Sequence, residues 1–589
     1  MTITRDAGNV KGVSWVASSE SSIHNILNTA SCLFHAPLQA SLFLSRGAGS
    51  PTFSRATKAW ALNELGILEE LPSGCAFFAG ARLVFNSVRT TSEDFSNAIW
   101  IKTNCTVVGT NVIVCSYTTS LQRISQEASG ASARAVVIGT AYRFSARIRR
   151  VSNGAQLIQL TAVSGGFGTG QYANFSLVDG SVLAVGCIAT STLVAGTTDT
   201  YDLSIRCVAT ANGSFDIFNV IFINSMSDAR TPSFIGDGLK SFELLRAWSV
   251  DVTGYTASYV PEYVSVGVVS APFFGAGVDG AKYYETDWQG ALISAANLLG
   301  FRKETAATNN LLHCRDLSNA AWSTKTNLTA DKTATGLDGI ANTATTLTAT
   351  TADAIILQPI TLASAERCAS AYVKRITGTE TISFTQDGGS SWTDITSQIN
   401  SNTYSRVQVT STLANPSVGF KISTSGDAIA VDIVQNEAGS VATSPIVTTT
   451  AIVTRNADSL TYQISGNWSD TAGTAFVEVA PLAYSGGAIG SATNGLLLST
   501  LNSGATAYDG TNSANGPSGT PGSSEKLAFR WGSSAMTVSS GGIIGTPGTY
   551  DGGMGLSSIG IGSSAAGCFK NAAIYNYAMT DAELQGITA

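Results

Sequence analysis

Short apolar runs separated by turn residues recur along most of the chain after residue 50. Examples lie at 135–138, 142–148 and 201–205, where apolar residues either alternate with polar ones or stand together in a short run. This spacing is typical of strands in a sandwich or barrel, and helical periodicity is nearly absent from the middle of the chain. The pattern therefore predicts an all-β protein.

The first 50 residues show a different pattern. Apolar side chains recur there at helical spacing, in a stripe that consists of Ile23, Ile26, Leu27, Ala30, Leu33 and Phe34. Ser21 or Ser22 can cap such a helix, and Pro37 follows its end. One short amphipathic helix cannot form a core alone, so the stripe must pack on the body of the protein or on a partner, and the two alternatives stay equally open. We assign residues 1–50 as a short helical attachment segment in which Ile23, Ile26, Leu27, Leu33 and Phe34 dock to another protein.

One heptapeptide occurs twice. The sequence DFSNAIW at 94–100 returns as DLSNAAW at 316–322, and a Lys-Thr-Asn triplet closely follows each copy. Each copy also precedes enough short strands for one sandwich, so the repeat predicts two homologous β-sandwiches. Trp100 and Trp322 recur at one strand position, which favours a core role over an exposed one. The repeat-motif residues are Asp94, Asn97, Trp100, Asp316, Asn319 and Trp322. A weaker echo links 53–57 (FSRAT) with 453–457 (VTRNA).

The C-terminal part predicts a further β domain closed by a helix. Residues 486–523 are dense in Gly, Ser, Ala and Asn, so we expect a loop-rich rim there. Strand-like segments follow at 526–531 and 568–577. Thr580 and Glu583 form the sequence signature of a capping box, which predicts a terminal helical turn. We expect its Leu584 and Ile587 to pack near the last strand, around Ile574 and Tyr575.

Composition narrows the function classes. The 589 residues include 33 Lys and Arg, 40 Asp and Glu and 59 Gly, and the net charge of −7 argues against a general nucleic-acid binder. The N-terminus resembles no signal peptide, and no apolar run is long enough to span a membrane. The nine cysteines are scattered without a C-x-x-C pair, so we expect mostly reduced, buried thiols.

Several segments resemble domains of tailed-phage virion proteins. The stretch 93–100 resembles the opening of a carbohydrate-binding-module-like β-sandwich found in phage fibres and spikes, and 173–180 and 437–444 resemble later segments of that family. Residues 465–589 resemble a laminin-G or concanavalin-A-like lectin domain. The resemblance implies tandem jelly-roll-type β-sandwiches followed by a concanavalin-A-like sandwich. The first copy closes without the Glu-Ala-Gly step present at 437–439, so its last strands are expected to differ. The expected boundaries are 1–50 attachment segment, 51–93 β-rich connector, 94–264 first sandwich, 265–309 connector, 310–464 second sandwich and 465–589 lectin-like domain.

Catalytic signatures are sparse. The chain has three histidines, at 24, 35 and 313, and it lacks a G-x-S-x-G elbow, an H-E-x-x-H motif and a phosphate loop. Paired carboxylates for glycoside hydrolysis occur only at 69–70, 93–94 and 387/394, and the first pair precedes a turn. We therefore expect no enzyme, and a polysaccharide depolymerase stays a second alternative.

Sugar binding requires an aromatic platform beside polar side chains. Trp392 lies in a turn-rich segment between Asp387 and Asp394, and Trp531 is a further candidate, so these four residues are our glycan-binding candidates. Jelly-roll modules often bind a structural Ca²⁺ ion, and Asp316 and Asp432 are its candidate ligands by this resemblance. No other cofactor is expected.

The resemblance implies a virion location, assembly in the host cytoplasm and a homotrimer that contacts other capsid or tail proteins. The function expected from it is a fibre or spike that adsorbs to host-surface glycan, without nucleic-acid binding or membrane insertion. The first alternative is a capsid-decorating fibre or cement protein that binds no glycan.

Overall fold

The computed structural model describes residues 31–88, 90–126, 136–151, 154–213, 218–268, 273–482, 486–499, 504–519 and 523–589. These residues form antiparallel β-sheets with two short α-helices and two 3₁₀ turns, so the predicted all-β sandwich class is confirmed. No helix in the described ranges is long and apolar enough to cross a membrane.

The strands up to the end of the first repeat unit fall into two groups. Six strands precede it: β1 (Cys32–Ala36), β2 (Thr52–Ser54), β3 (Ala59–Leu62), β4 (Leu68–Leu71), β5 (Phe78–Ala79) and β6 (Arg82–Phe85). Twelve strands and a helical turn, α1 (Ser164–Phe167), belong to it: β7 (Trp100–Thr103), β8 (Cys105–Val108), β9 (Val112–Cys115), β10 (Arg123–Gln126), β11 (Ala141–Arg150), β12 (Leu157–Ala162), β13 (Tyr172–Ser176), β14 (Val182–Val185), β15 (Ile188–Leu193), β16 (Thr200–Val208), β17 (Phe218–Phe222) and β18 (Ser241–Asp251).

The remaining strands fall into three groups. A 3₁₀ turn (Phe273–Gly275) and three strands lead to the second unit: β19 (Ala281–Tyr284), β20 (Gly300–Lys303) and β21 (Ala307–Asn309). The second unit contains a 3₁₀ turn (Thr396–Gln398) and β22 (Thr324–Thr326), β23 (Leu328–Ala334), β24 (Ala344–Ala349), β25 (Ala354–Pro359), β26 (Ala365–Thr377), β27 (Ile382–Thr385), β28 (Thr393–Asp394), β29 (Ser405–Leu413), β30 (Ser417–Ile422) and β31 (Ala428–Ala438). The last group ends in α2 (Asp581–Thr588) and comprises β32 (Val453–Arg455), β33 (Ser459–Tyr462), β34 (Gly473–Pro481), β35 (Gly486–Gly490), β36 (Gly495–Ser499), β37 (Gly504–Tyr508), β38 (Ser513–Ser518), β39 (Glu525–Gly532), β40 (Ala535–Ser540), β41 (Ile543–Ile544), β42 (Gly548–Thr549), β43 (Ile559–Ile561) and β44 (Gly567–Tyr575).

Strands from both ends of the chain build one large sandwich, which we call the frame sandwich. One sheet has the order β41-β40-β39-β34-β44-β20-β5, with β1 also on β44 and β42 on β40, and the other has the order β2-β33-β43-β35-β36-β37-β38. Buried side chains from residues 34–83, 276–301 and 460–574 pack in a single core between them. The predicted C-terminal domain is therefore completed by strands from far upstream.

Both repeat units are insertions into the frame sandwich. We call residues 86–264 the first module and residues 309–448 the second module. The chain leaves the frame after β5 and returns to it at β20, and the ribbon of β6 and β19 joins the two ends of the first module. The ribbon of β21 and β32 does the same for the second module, after which β33 rejoins the frame. The predicted linear order of domains is wrong for this reason: the connectors at 51–93 and 265–309 supply frame strands.

The two modules share one strand order. The first has the sheets β14-β13-β12-β17-β10-β7 and β15-β16-β11-β18-β9-β8, and the second has β28-β27-β30-β25-β22 and β29-β26-β31-β24-β23. Each strand of the second module has a counterpart in the first, and β14 and β15 extend both sheets of the first module alone. The sequence prediction of two homologous sandwiches agrees with this topology.

Strand β11 illustrates how the sequence forms these sheets. Its residues alternate, so Tyr142, Phe144 and Ala146 point into the core of the first module while Arg143 and Ser145 lie on the outer face. Arg143 is nevertheless buried, because the chain after β18 covers that part of the outer face.

A buried asparagine closes each module in the same way. Asn86 and Asn309 are 2% and 0% exposed, and each side chain makes four hydrogen bonds to the backbone of its own module. The Oδ1 atom of Asn86 accepts from the N–H groups of Val88 and Ser249, and its Nδ2 donates to the carbonyls of Ala247 and Val264. The partners of Asn309 are Leu311, Asn436, Val434 and Ile446. Each side chain therefore joins the first, last and closing segments of a module.

The echo of 53–57 in 453–457 has a structural counterpart at the base of the second module. Arg55 and Arg455 both form ion pairs with the buried carboxylate of Asp458. Arg455 also pairs with Glu304, whose oxygens accept from the N–H and Oγ of Ser444. Although burial alone would raise it, the nearby Arg302 and Arg455 guanidinium groups lower the pKa of Glu304 to about 2. This network attaches the end of the second module to the frame.

The predicted helix at 23–34 is wrong at its C-terminal end. Leu33 and Phe34 lie in β1, which pairs with β44, and Phe34 is fully buried against Tyr462 at 5.0 Å between ring centroids. Because Phe34 belongs to the frame core, it cannot dock to another protein. Ile23, Ile26 and Leu27 lie outside the described residues.

The predicted loop-rich rim at 486–523 is also wrong. The described parts of this segment form β35 to β38, four neighbouring strands of the frame. Small residues fit there because the strands approach closely: a Cβ on Gly504 in β37 would lie 2.2 Å from the carbonyl oxygen of Pro517 in β38. Glycine therefore marks tight packing between strands here and not a loop.

The terminal helix and the thiols agree with the sequence. Thr580 caps α2 in a complete capping box with Glu583, and Leu584 and Ile587 are buried in a cluster that includes Tyr575. All nine cysteines are free thiols, and all except Cys187 are buried.

Candidate functional site

A groove of about 650 Å³ is lined by segments that precede and follow the first module in sequence. One wall is the turn between β3 and β4, and the other is the loop between β19 and β20. The residues that line it are Asn63, Glu64, Leu65, Gly80, Asp287, Trp288, Leu292, Ile293, Ser294, Ala296, Asn297 and Leu299. The groove therefore combines one aromatic ring, two carboxylates and two amides with several aliphatic side chains.

Each wall is a turn whose first residue accepts backbone hydrogen bonds. The Oδ1 atom of Asn63 accepts from the N–H groups of Leu65 and Ile67, and the Oδ1 atom of Asp287 accepts from those of Gln289 and Ala291. Asn and Asp favour this conformation because their short side chains reach the backbone two or more residues on. Gly66 and Gly290 have φ angles of 73° and 85°, the left-handed region that favours glycine.

Trp288 is the aromatic surface of the groove. It is half-buried, and its ring packs edge-on against Tyr259 at 6.3 Å between centroids. Tyr259 in turn stacks on Tyr255 at 4.6 Å. These ring contacts hold the indole in place. Because Trp288 is only half-buried, part of its surface is exposed in the groove.

Glu64 stands opposite with one oxygen committed and one unused. Its Oε1 accepts a 2.7 Å hydrogen bond from the hydroxyl of Tyr255, and its Oε2 is buried without a hydrogen-bond partner. Burial raises the pKa of Glu64 above its ordinary value. A buried acceptor without a partner is costly, and this oxygen has almost no solvent-accessible surface.

Arg82 lies near the groove and binds residues that support it. The guanidinium is fully buried and binds both oxygens of Glu262, at 2.6 and 2.8 Å, while its Nε donates to the carbonyl of Thr286. It also donates to the hydroxyl of Tyr259 at 2.7 Å. One side chain thus fixes the closing segment of the first module and the start of the Trp288 loop.

The chemistry of the lining suits a neutral, polyhydroxylated ligand. Its charged members are Glu64 and Asp287, and the lining includes no basic residue. Such a surface disfavours an anion, whereas an indole face and nearby acceptors match the apolar face and the hydroxyls of a sugar ring. Leu292 and Leu299 are 60% and 48% exposed at the rim, which adds apolar contact area.

The structure places the predicted Trp392 site in a hairpin turn of the second module, between β27 and β28. Trp392 is half-buried, and the ammonium group of Lys421 lies 5.7 Å from its ring centroid. Asp387 and Asp394 build the turn: Asp387 accepts from Ser391 N–H at 2.9 Å and Asp394 from Thr396 N–H at 2.8 Å. Hydrogen bonds with Thr396 lower the pKa of Asp394. Trp392 remains a candidate platform, but the carboxylates of Asp387 and Asp394 accept hydrogen bonds from the backbone of their own turn.

Trp531 is not a glycan platform. Its ring is fully buried in the frame core, stacked on Trp468 at 4.4 Å, and its Nε1 donates to the carbonyl of Ser469. The core role predicted for Trp100 and Trp322 agrees with the structure, because each is 1% exposed. Their indole N–H groups donate to the carbonyls of Thr91 and His313, nine residues earlier in each case.

The other repeat-motif residues shape the turn before each tryptophan. Asp94 and Asp316 accept from the serine two residues on, and Asn97 and Asn319 accept from the backbone N–H groups of Ile99 and Ala321. The motif therefore recurs as a turn and a core anchor, and not as a binding surface.

The proposed calcium ligands have other partners. Both oxygens of Asp432 bind Arg315, at 2.7 and 2.8 Å, and one also accepts from the N–H of Leu337. Asp316 is committed to its own turn. The described residues contain no group of three or more His, Cys, Asp or Glu side chains arranged for a metal ion. An ion pair thus occupies the position where a Ca²⁺ ligand was expected.

Sequence reasoning missed Glu64, Asp287 and Trp288. A signal was present, because Asn63 and Asp287 each stand three residues before a glycine, at Gly66 and Gly290, and both tetrads fall in the two predicted connectors. Such tetrads predict turns but not which turns face each other. Only the insertion of the first module between β5 and β20 brings these two together.

No protein-family model matches the sequence, and no curated protein matches it.

Proposed function

We propose that this protein is a non-enzymatic structural appendage of a tailed-bacteriophage virion and that its groove beside Trp288 binds host-surface glycan. The observation that carries the glycan part is the groove itself, which the supported indole of Trp288 and the carboxyl group of Glu64 both line. Apolar ring faces stack on aromatic side chains, and sugar hydroxyls satisfy buried acceptors.

The virion setting rests on the resemblance of residues 93–100, 173–180 and 437–444 to phage fibre and spike modules. The all-β architecture with two inserted modules is compatible with that setting. In it the protein forms a homotrimer and contacts other virion proteins, and several weak sugar sites on one particle together give avidity. A capsid-decorating fibre without glycan binding is the alternative.

One observation favours a second candidate, a glycoside hydrolase. The raised pKa of Glu64 is the property of a general acid, and Asp287 provides a second carboxylate in the same groove. The Oδ1 atom of Asp287 is committed to its turn, however, which makes it a poor nucleophile or base. Binding is therefore the better-supported function.

The test compares two half-buried tryptophans in the full-length protein. Trp288→Ala is expected to weaken binding to a neutral polysaccharide on a glycan array about two- to tenfold, since an aromatic contact contributes roughly 0.5–1.5 kcal/mol. Trp392→Ala serves as the matched control and should bind like the wild type. Leu292→Glu at the exposed rim gives a second variant with little risk to folding.

Four results would contradict the proposal in different ways. Unchanged binding by Trp288→Ala and Leu292→Glu would exclude the groove, and loss with Trp392→Ala alone would move the site to the second module. Absence of binding to any bacterial surface polysaccharide would favour the purely structural alternative. Release of reducing ends by the wild type but not by Glu64→Gln would establish the hydrolase.

A further inference from the structure

Two pairs of cysteines face each other across antiparallel strands of the first module. Cys105 and Cys115 are direct partners in the β8–β9 ladder. Cys187 immediately precedes β15, whose first residue, Ile188, pairs with Arg206, so the next step of the same register places Cys187 opposite Cys207. Opposed residues of antiparallel strands have Cα atoms about 4.5–5.5 Å apart, within the range that a disulfide spans.

The two pairs differ in access. Cys187 is half-buried and lines an open pocket of about 670 Å³, together with Gln171, Gly186 and Arg206. Its Sγ lies 3.2 Å from the carbonyl oxygen of Tyr172, which fixes the thiol at the pocket wall. Its neighbour Cys207 is fully buried in the core. By contrast, Cys105 and Cys115 are 7% and 2% exposed.

The two pairs also differ in electrostatics. The hydrogen bond with Cys207 is the main cause that lowers the pKa of Cys187, and the buried guanidinium of Arg143 acts in the same direction. Arg143 lies directly opposite Arg206 across β11 and β16, so two cationic side chains are adjacent on this part of the sheet. Desolvation raises the pKa of Cys105 to about 12. The thiolate, which is the reactive form, is therefore favoured at Cys187 and disfavoured at Cys105.

We propose that Cys187 and Cys207 form an oxidisable dithiol in which Cys187 reacts with a hydroperoxide and Cys207 resolves the product. In the first step the Cys187 thiolate attacks a peroxide oxygen of H₂O₂, the O–O bond breaks, and sulfenic acid and hydroxide form; the hydroxide takes up a proton to give water. In the second step the Cys207 sulfur attacks the Cys187 sulfur, an S–S bond forms, and water leaves with the proton of Cys207. The sulfurs lose two electrons in total, and the peroxide accepts them.

The disulfide would join the start of β15 to the end of β16. Strands β14 and β15 have no counterpart in the second module, so the bond would fasten β15, one of the two edge strands that are unique to the first module, to β16. This inference does not depend on the proposed function, because it concerns the thiols alone.

The experiment treats the full-length protein with hydrogen peroxide, then blocks free thiols in denaturant and maps the peptides by mass spectrometry without reduction. We expect two of the nine thiols to disappear, with a Cys187–Cys207 linkage and a mass decrease of about 2 Da. Cys207→Ser should instead accumulate a sulfenic acid at Cys187, which dimedone labels. Cys105→Ser is the matched control and should form the Cys187–Cys207 linkage at the wild-type rate.

Contrary results are equally specific. A Cys105–Cys115 linkage that forms first, or nine intact thiols after treatment, would overturn the proposal. If Cys207→Ser does not fold, dimedone labelling of the wild type during the first seconds of oxidation decides the question, because label on any cysteine other than Cys187 contradicts it.

Discussion

The two inserted modules use the same side chains at their ends and in the turn before the repeat tryptophan. They differ in the side chains on the outer face of one sheet. Both use a buried asparagine clamp, at Asn86 and Asn309, and both bury the repeat tryptophan behind a turn that begins with aspartate. The shared residues are those that hold the two sheets of each module together around its core. The attachment of a module to its frame therefore tolerates less change than its surface.

The difference is clearest where each module fastens its closing segment. In the first module Arg143 donates to the carbonyl of Ala257 at 2.7 Å. In the second module Glu437 accepts from the N–H and the hydroxyl of Thr443, at 2.9 and 2.7 Å. Arg143 of β11 pairs with Val250 of β18, and Cys368 of β26 pairs with Glu437 of β31. Because β11 and β18 are the counterparts of β26 and β31, these two residue pairs occupy corresponding positions in the two modules. One module thus uses a cation where the other uses a carboxyl group.

The largest effect is expected from removing the repeat tryptophans. Trp100→Ala and Trp322→Ala should each lower the free energy of unfolding of its own module by about 3–5 kcal/mol, because a large buried side chain leaves a cavity. Hydrogen-exchange mass spectrometry would locate the loss to β7–β18 in one variant and to β22–β31 in the other. Equal loss in both modules from either variant would contradict the assignment of each tryptophan to the core of its own module.

The asparagine clamps come next. Asn86→Ala and Asn309→Ala should each cost about 2–3 kcal/mol, because buried backbone groups lose their partners. Chemical denaturation measures the cost, and the exposed Asn402→Ala is the control, with an expected change within about 0.5 kcal/mol. If only one clamp variant is destabilised, the two modules do not share this closure.

A smaller effect, which depends on pH, should distinguish the Glu437 contacts of the second module from the Arg143 contact of the first. Desolvation raises the pKa of Glu437, so the folded second module holds this proton more tightly than the unfolded chain does. The contribution of Glu437 to the stability of the second module is therefore largest in acid. It falls as the pH rises from the pKa of Glu437 in the unfolded chain through its raised pKa in the folded module. Glu437→Gln should therefore flatten the pH dependence of the second module's stability above about pH 4.5, the ordinary glutamate value. Hydrogen exchange between pH 4 and 7 tests this, with the first module of the same variant as the internal control; an unchanged slope would contradict it.

The smallest effect concerns the lysines of the repeat. Lys102 and Lys325 both donate through Nζ to two carbonyls of the turn before the tryptophan, those of Ser96 and Asn97 or of Ser318 and Asn319. Because these contacts are largely solvated, Lys102→Met and Lys325→Met should each cost about 0.5 kcal/mol in chemical denaturation. A cost above 2 kcal/mol in either module would show that the turn, and not the core, limits its stability.

The glycan candidates show where prediction from single residues failed. Trp531 ends a strand-like segment, precedes Gly532 and two serines and is at the centre of the frame core, whereas Trp392 lies in a polar turn and is half-exposed. Trp288 also lies in a polar segment, between Asp287 and Gln289, and it lines the groove. A tryptophan's neighbours in sequence do not report which sheet covers it.

The sequence by itself determined the class of elements and the local turns. Alternation predicted strands, the repeated heptapeptide predicted two equivalent sandwiches, and the spacing of Thr580 and Glu583 predicted a helix that the structure contains. These features depend on interactions within a few residues, or on duplicated sequence, so they can be read along the chain. Only the tertiary structure decided that Phe34 is a core residue, that residues 486–499 and 504–518 contribute frame strands and that Glu64 and Trp288 line one groove. Each of these depends on pairing between segments hundreds of residues apart, which local periodicity does not encode.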